Sequence, residues 1–244
     1  MAGDMFMKKI LIIASLLVSI GSWATPLSTL LNGGTITAGD KLFDQWELFL
    51  DDSEFGIDTS LIEVTPLNDG GLDPGPGLHF ELLGPGWTIF GNGFWNYLDF
   101  SFGFRASVID PNSGLKIKDN SLTLLDAFVY NDNFEPAFDL ASVYINETVY
   151  SDGNRNNEIG FKDVEMSDVG GQLTQDLFDN TVFAPASEVW ITKNILLEAT
   201  DFMNMAELRS FEQRFSQTAD IPEPSSLILL SLGVLGLLVR RNQT

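Results

Sequence analysis

Oxygen-bearing side chains are packed most densely in one twelve-residue run, Asp152-Gly153-Asn154-Arg155-Asn156-Asn157-Glu158-Ile159-Gly160-Phe161-Lys162-Asp163. Oxygen ligands at alternate positions, closed by a carboxylate at the twelfth, are what a calcium loop requires. Asp152, Asn154, Asn156, Glu158 and Asp163 fall on that pattern. Two departures weaken it: Asn157 stands where the sharp turn needs glycine, and the last ligand is Asp rather than Glu. The flanking residues read as strands rather than helices. The expectation is a solvated Asn/Gly-rich β-turn, so no cofactor is assigned, and calcium is the one ion the pattern leaves open. Asp51-Asp52-Ser53-Glu54 and Asn131-Asp132-Asn133-Phe134-Glu135 are further acidic loops. Loops gathered at one end of a sandwich could bring two of them around a cation.

A second candidate is aromatic. Gly86-Trp87-Thr88-Ile89-Phe90-Gly91-Asn92-Gly93-Phe94-Trp95-Asn96-Tyr97 sets large rings among glycines. Trp87 and Trp95 beside Asn and Asp could stack on pyranose rings, and the competing expectation is core packing beside a tight turn. Catalytic patterns are weak. The only histidine is His79, inside an alternating strand and with no G-x-S-x-G elbow nearby. Gly91-x-Gly93 lacks the rest of a dinucleotide loop. Carboxylate pairs could serve glycoside hydrolysis, but with 34 acidic residues a pair identifies nothing. The chain is therefore not expected to be an enzyme.

The elements that must carry these residues are strands. Gly and Asn/Asp clusters punctuate the chain, and short β-branched and aromatic runs lie between them. Leu98 to Val108 is the clearest: Leu98, Phe100, Phe102, Phe104, Ala106 and Val108 alternate with polar residues, a period of two. Further strands are expected at 35–38, 42–50, 61–65 (ended by Pro66), 78–83, 121–130, 142–150 and 189–199. Residues 173–182 are less regular. Residues 203–215 fit a short helix, through Phe211 and Phe215, or a final edge strand. No stretch before residue 200 has a helical period. The fold class is all-β, a β-sandwich or jelly roll.

Both ends are targeting segments. Lys8-Lys9, the apolar run Ile10 to Ile20 and the small residues of Ser22-Trp23-Ala24 make a signal peptide over 1–24. Asp4 is unusual in such a leader, and a start at Met7 fits better. The C-terminal end reads Pro222-Glu223-Pro224, an uncharged apolar stretch, then Arg240-Arg241. Two prolines block a helix from extending upstream. Residues 225–239 would make roughly 22 Å of helix, short of the ~30 Å hydrocarbon core, with the arginines holding the cytoplasmic side. This arrangement resembles the PEP-CTERM sorting signal of Gram-negative bacteria, with Pro222-Glu223-Pro224 as its motif and Arg240-Arg241 as its basic stop. The resemblance implies an exosortase as partner, a membrane transpeptidase-like enzyme cutting near the motif. Residues 37–43, 62–75 and 210–215 also resemble a recurring class of PEP-CTERM cargo, which implies only a location and a β-rich body. The chain divides into a signal peptide (1–24), a β-sandwich body (25–215), a linker (216–221) and a sorting tail (222–244).

The net charge of the 244 residues is −21, and there is no cysteine. A polyanion of this kind excludes nucleic acid as a partner of the body. Cysteine nucleophiles, thiolate metal sites and disulfides are all excluded. The reading that results is an exported protein, membrane-anchored until an exosortase processes it. It then resides at the outer surface or in the extracellular polysaccharide, with a structural or adhesive body. The alternative is a carbohydrate- or calcium-binding lectin-like module. An ice-binding protein or a hydrolase ranks lower.

Overall fold

The computed structural model describes residues 23–53, 56–84, 87–131 and 139–219. The signal peptide, Pro222-Glu223-Pro224, the apolar stretch 225–239 and Arg240-Arg241 lie outside the described residues. Among those described, no helix is long and apolar enough to cross a membrane.

The chain runs through β1 (Thr25–Pro26), a five-residue helix α1 (Leu27–Leu31), β2 (Ile36–Ala38), β3 (Lys41–Asp52), β4 (Ile62–Leu67), β5 (Gly77–Leu82), β6 (Thr88–Phe90), β7 (Asn96–Val108) and β8 (Leu115–Tyr130). It continues through β9 (Leu140–Tyr150), β10 (Glu158–Val169), β11 (Gln172–Asp176), β12 (Phe178–Ala186), β13 (Glu188–Ala199), β14 (Met205–Arg214) and β15 (Gln217–Ala219). These strands form two antiparallel sheets. One has the order β1-β4-β5-β14-β8-β12, with β6 beside β14 and β15 beside β8. The other is seven-stranded, in the order β11-β10-β9-β13-β7-β3-β2.

Alternation decides which side chains meet between the sheets. Phe100, Phe102 and Phe104 of β7 are buried, as expected. Phe102 and Phe104 stack on Trp46 of β3, which meets Phe80 of β5, and Phe80 stacks on Phe211 of β14 at 4.6 Å. Offset and tilted ring pairs of this kind add to the burial of their area. Trp46 faces inward only because of a β-bulge. Gln45 has φ 53° and the β3–β7 register shifts between Asp44 and Glu47, so the extra residue returns the next ring to the core.

Four expectations change. Residues 203–215 form neither a helix nor an edge strand: β14 lies inside its sheet, between β5 and β8. Residues 216–221 do not begin as a free linker, since β15 pairs with Leu115 to Ile117. Pro66 does not end its strand. β1 pairs only with Glu63 and Val64, so Pro66 continues β4 where no amide is required on that side. The irregular 173–182 stretch is two strands, β11 and β12, which belong to different sheets.

Candidate functional site

The outer face of the seven-stranded sheet gathers rings and carboxylates from distant parts of the chain. On β7 the residues between the buried phenylalanines point outward: Tyr97, Asp99, Ser101, Gly103 and Arg105. Glu198, Leu196, Asn194, Thr192 and Trp190 of β13 stand opposite them. Trp95, just before β7, is 64% exposed, and its ring centroid lies 5.5 Å from that of Tyr97 at a 41° tilt. Both rings are held by carboxylates. Trp95 Nε1 donates to Glu198 Oε1 at 2.9 Å, and Tyr97 Oη donates to Asp52 Oδ2 at 3.0 Å. The Asp52 hydrogen bond, reinforced by its charge, pushes the Tyr97 phenol up. Ser142 Oγ donates to the other oxygen of Glu198 at 3.0 Å, which fixes that carboxylate from β9.

Next to the rings the face becomes a polar floor. Asp99 is pushed up by burial and by Asp52, against a hydrogen bond from Asn194. Asp99 Oδ1, Asn194 Oδ1 and Thr192 Oγ1 are buried without hydrogen-bond partners. At the far end, the Arg155 guanidinium lies over Phe49 at 4.5 Å and near Trp190 at 5.6 Å, and pairs with Glu47 at 3.2 Å. Gly103 makes room for this. A Cβ there would sit 2.8 Å from the Phe49 ring and 3.1 Å from Arg155 Nη2.

Arg155 belongs to the run expected to be a turn or a calcium loop. The structure does not gather its five oxygen residues into one shell. Asp152 accepts amides of its own turn, from Asn154 at 3.0 Å and Asn157 at 2.9 Å, as a solvated Asx-type turn does. Glu158 already lies in β10. Asp163 pairs with Asn146 well along the hairpin, separated from Asp152 by strand rise. Asp163 is instead pushed up by burial and by Asp179, Asp176 and Glu165. Among the described residues, no three His, Asp or Glu side chains are grouped to hold a metal ion.

Of the two candidate tryptophans, Trp95 is on the surface and Trp87 is not. Trp87 is 2% exposed and meets Phe100 edge-on at 5.5 Å, so it is a core ring with no face to offer a sugar. Glu198 and Asn194 were missed because they are far away in sequence and only pairing register brings them to Trp95; Asp52 was singled out as part of an acidic loop, but not as the partner of Tyr97. His79 lies on the opposite sheet, in a hollow of about 330 Å³ with Glu81, Asp126, Arg209 and Ser210. Arg209 there pairs with Glu207 at 2.8 Å.

The surface leaves open how the chain reaches its destination, and residues 220–242 answer that, because they match the model of the PEP-CTERM protein-sorting motif. The chain carries a PEP-CTERM sorting signal. The match begins one residue after β15 ends, so the motif directly abuts the folded body. It implies recognition by an exosortase and an exported, membrane-associated protein. No curated protein matches the sequence. Among solved structures, the PEP-CTERM chain is similar to the Glycosylation Associate Protein (Gap123) complex from Streptococcus agalactiae. Identity is 13%, the TM-score is 0.28, and 66% of this chain covers 25% of that one, so it spans a quarter of that chain's length. It is also similar to TmCBM61 in complex with β-1,4-galactotriose, at 14% identity and a TM-score of 0.24, covering 72% of this chain and 89% of that one. The CBM22-1 xylan-binding domain of Paenibacillus barcinonensis Xyn10C matches at 12% identity and a TM-score of 0.19, covering 75% and 99%. At such scores the likeness decides nothing about function.

Proposed function

We propose that the body is an adhesive module that binds neutral polysaccharide through the outer face of the seven-stranded sheet, and that the tail delivers it to the surface where that polysaccharide lies. The observation that carries this reading is the exposed Trp95–Tyr97 pair, fixed by Glu198 and Asp52. Sugars present apolar C–H faces that stack on rings and hydroxyls that need hydrogen bonds. The rings supply the first, and the exposed Asp52 carboxylate beside Tyr97 supplies an acceptor for the second. The acidity of the body disfavours an acidic polymer and suits a neutral one. The tail is held in the inner membrane until an exosortase releases it, and the body then resides in the extracellular matrix. No catalysis is assigned to it.

The test is affinity electrophoresis of the body through gels containing neutral polysaccharides. Retardation is expected, and Trp95→Ala should weaken it about tenfold, which corresponds to roughly 1.4 kcal/mol. Chelator should leave it unchanged, since the Asp152 carboxylate is already used by its own turn. Equal migration of the parent and the Trp95→Ala and Tyr97→Ala variants in every gel would remove the proposal.

A further inference from the structure

Four polar side chains meet inside the sandwich with no exposure to solvent: Glu147 of β9, Lys162 of β10, Lys193 of β13 and Gln213 of β14. Register places three of them. Lys193 and Lys162 stand directly opposite Glu147 on its two neighbouring strands, and alternation turns all three inward. Gln213 reaches them from the other sheet. Glu147 Oε1 accepts from Lys162 Nζ at 2.5 Å and from Gln213 Nε2 at 2.6 Å, and Oε2 accepts from Lys193 Nζ at 2.5 Å.

The charges do not balance. One carboxylate can neutralise one ammonium, and a second ammonium in a dehydrated interior is unfavourable. Burial drives Lys162 down to about 8, with Lys193 adding to the effect against the pull of Glu147. Burial lowers Lys193 as well. The Phe211 ring, 5.1 Å from Lys193 Nζ, favours that lysine as the one retained cation. Lys162 is then the lysine that gives up its proton, at about 8, to become a free amine, a nucleophile that shares one carboxylate oxygen with a carboxamide. Gln213 is held by its NH2 alone, since its Oε1 is buried without a partner.

We propose that Lys162 and Gln213 join in an intramolecular isopeptide bond, with Glu147 as the proton shuttle. The Lys162 Nζ lone pair attacks Gln213 Cδ and forms the new C–N bond. Glu147 takes a proton from Nζ and delivers it to Nε2. The Cδ–Nε2 bond breaks, its electron pair leaves on nitrogen, and ammonia departs. Glu147 ends in the state in which it began, and no oxidant, reductant or cofactor is consumed. The product resolves the charge imbalance, because it leaves Lys193 and Glu147 as a matched pair. It also staples β10 of one sheet to β14 of the other in a chain that has no cysteine for a disulfide. A second contact, Lys41 Nζ donating to Gln217 Oε1, is different. Lys41 is matched by Asp40 at 2.8 Å, whose side chain is partly open to solvent, so no charge is left over there.

The test is the mass of the purified, folded full-length chain and of its proteolytic peptides. The mass is expected to be lower by one ammonia than the observed termini dictate, with a branched peptide joining Lys162 to Gln213. Lys162→Met and Gln213→Met should each restore the unmodified mass, and Glu147→Gln should leave the two residues unjoined in a folded chain. The parent alone is decisive if a variant fails to fold. A folded parent of unmodified mass, or a branch at Lys193 or Lys41, overturns the proposal.

Discussion

Lys162 shows how one buried amine sets the behaviour of the interior. In Gln213→Met no amide can form, and Lys162 stays an amine held near 8 in the fold against an ordinary value of 10.5. Glu147, Lys193 and Asp179 are the charged groups acting on it. Between those two values the unfolded chain binds more protons than the folded one, so stability rises with pH. Below about 8 the full penalty for a buried ammonium remains. Urea melts from pH 7 to 10.5 should show this variant gaining roughly 3 kcal/mol across the window. The parent should lack that increment, while any contribution of Lys193 is common to both. Trp87 and Trp95 give a second contrast at this scale. Trp87→Ala empties a core site and should cost about 3–5 kcal/mol. Trp95→Ala removes an exposed ring and should change stability by no more than about 0.5 kcal/mol, so only the second tests binding cleanly.

Among the elements, β14 carries most of the consequences. It pairs with β5, β6 and β8, and its inward residues include Phe211 and Gln213. Its approach to β5 depends on Gly77, where a Cβ would sit 2.0 Å from the Gln213 carbonyl oxygen. Gly77→Ala should therefore lower stability by about 1–3 kcal/mol in thermal unfolding, by pushing apart two strands at the polar centre. This element was also the least legible in the sequence. Two register shifts, around Leu208 to Phe211, break its alternation, and Phe211 and Phe215 then satisfy a helical spacing equally well. β7 was legible because it has no such shift against β13, so its phenylalanines keep a period of two. Trp46 was hidden by the bulge at Gln45, and β10 by oxygen-rich residues that read as ligands. The candidate face was half legible. Its rings stand out in composition, but Asp52 and Glu198 come from strands that only the folded sheet brings to either side of β7.

For the whole molecule, the question is whether the body depends on its sorting signal. The last strand among the described residues, β15, ends at Ala219, and the motif starts at residue 220. β15 itself is part of the fold: Gln217 to Ala219 pair with β8, and Gln217 takes the buried Lys41 amine. A chain ending at residue 219 therefore keeps every contact described for the body, whereas one ending at residue 216 loses a strand and leaves Lys41 without its amide partner. The two truncations should separate delivery from folding. Ending at 219 should leave the melting temperature of the purified body unchanged but release it from the membrane fraction of cells that lack an exosortase, where the full chain stays. Ending at 216 should lower the melting temperature by several degrees, on the order of 4 °C or more for a loss of a few kcal/mol in a domain of this size. If the 219 truncation melted as low as the 216 one, residues beyond β15 would be part of the fold. If it fractionated like the full chain, the motif would not be what holds the protein at the membrane.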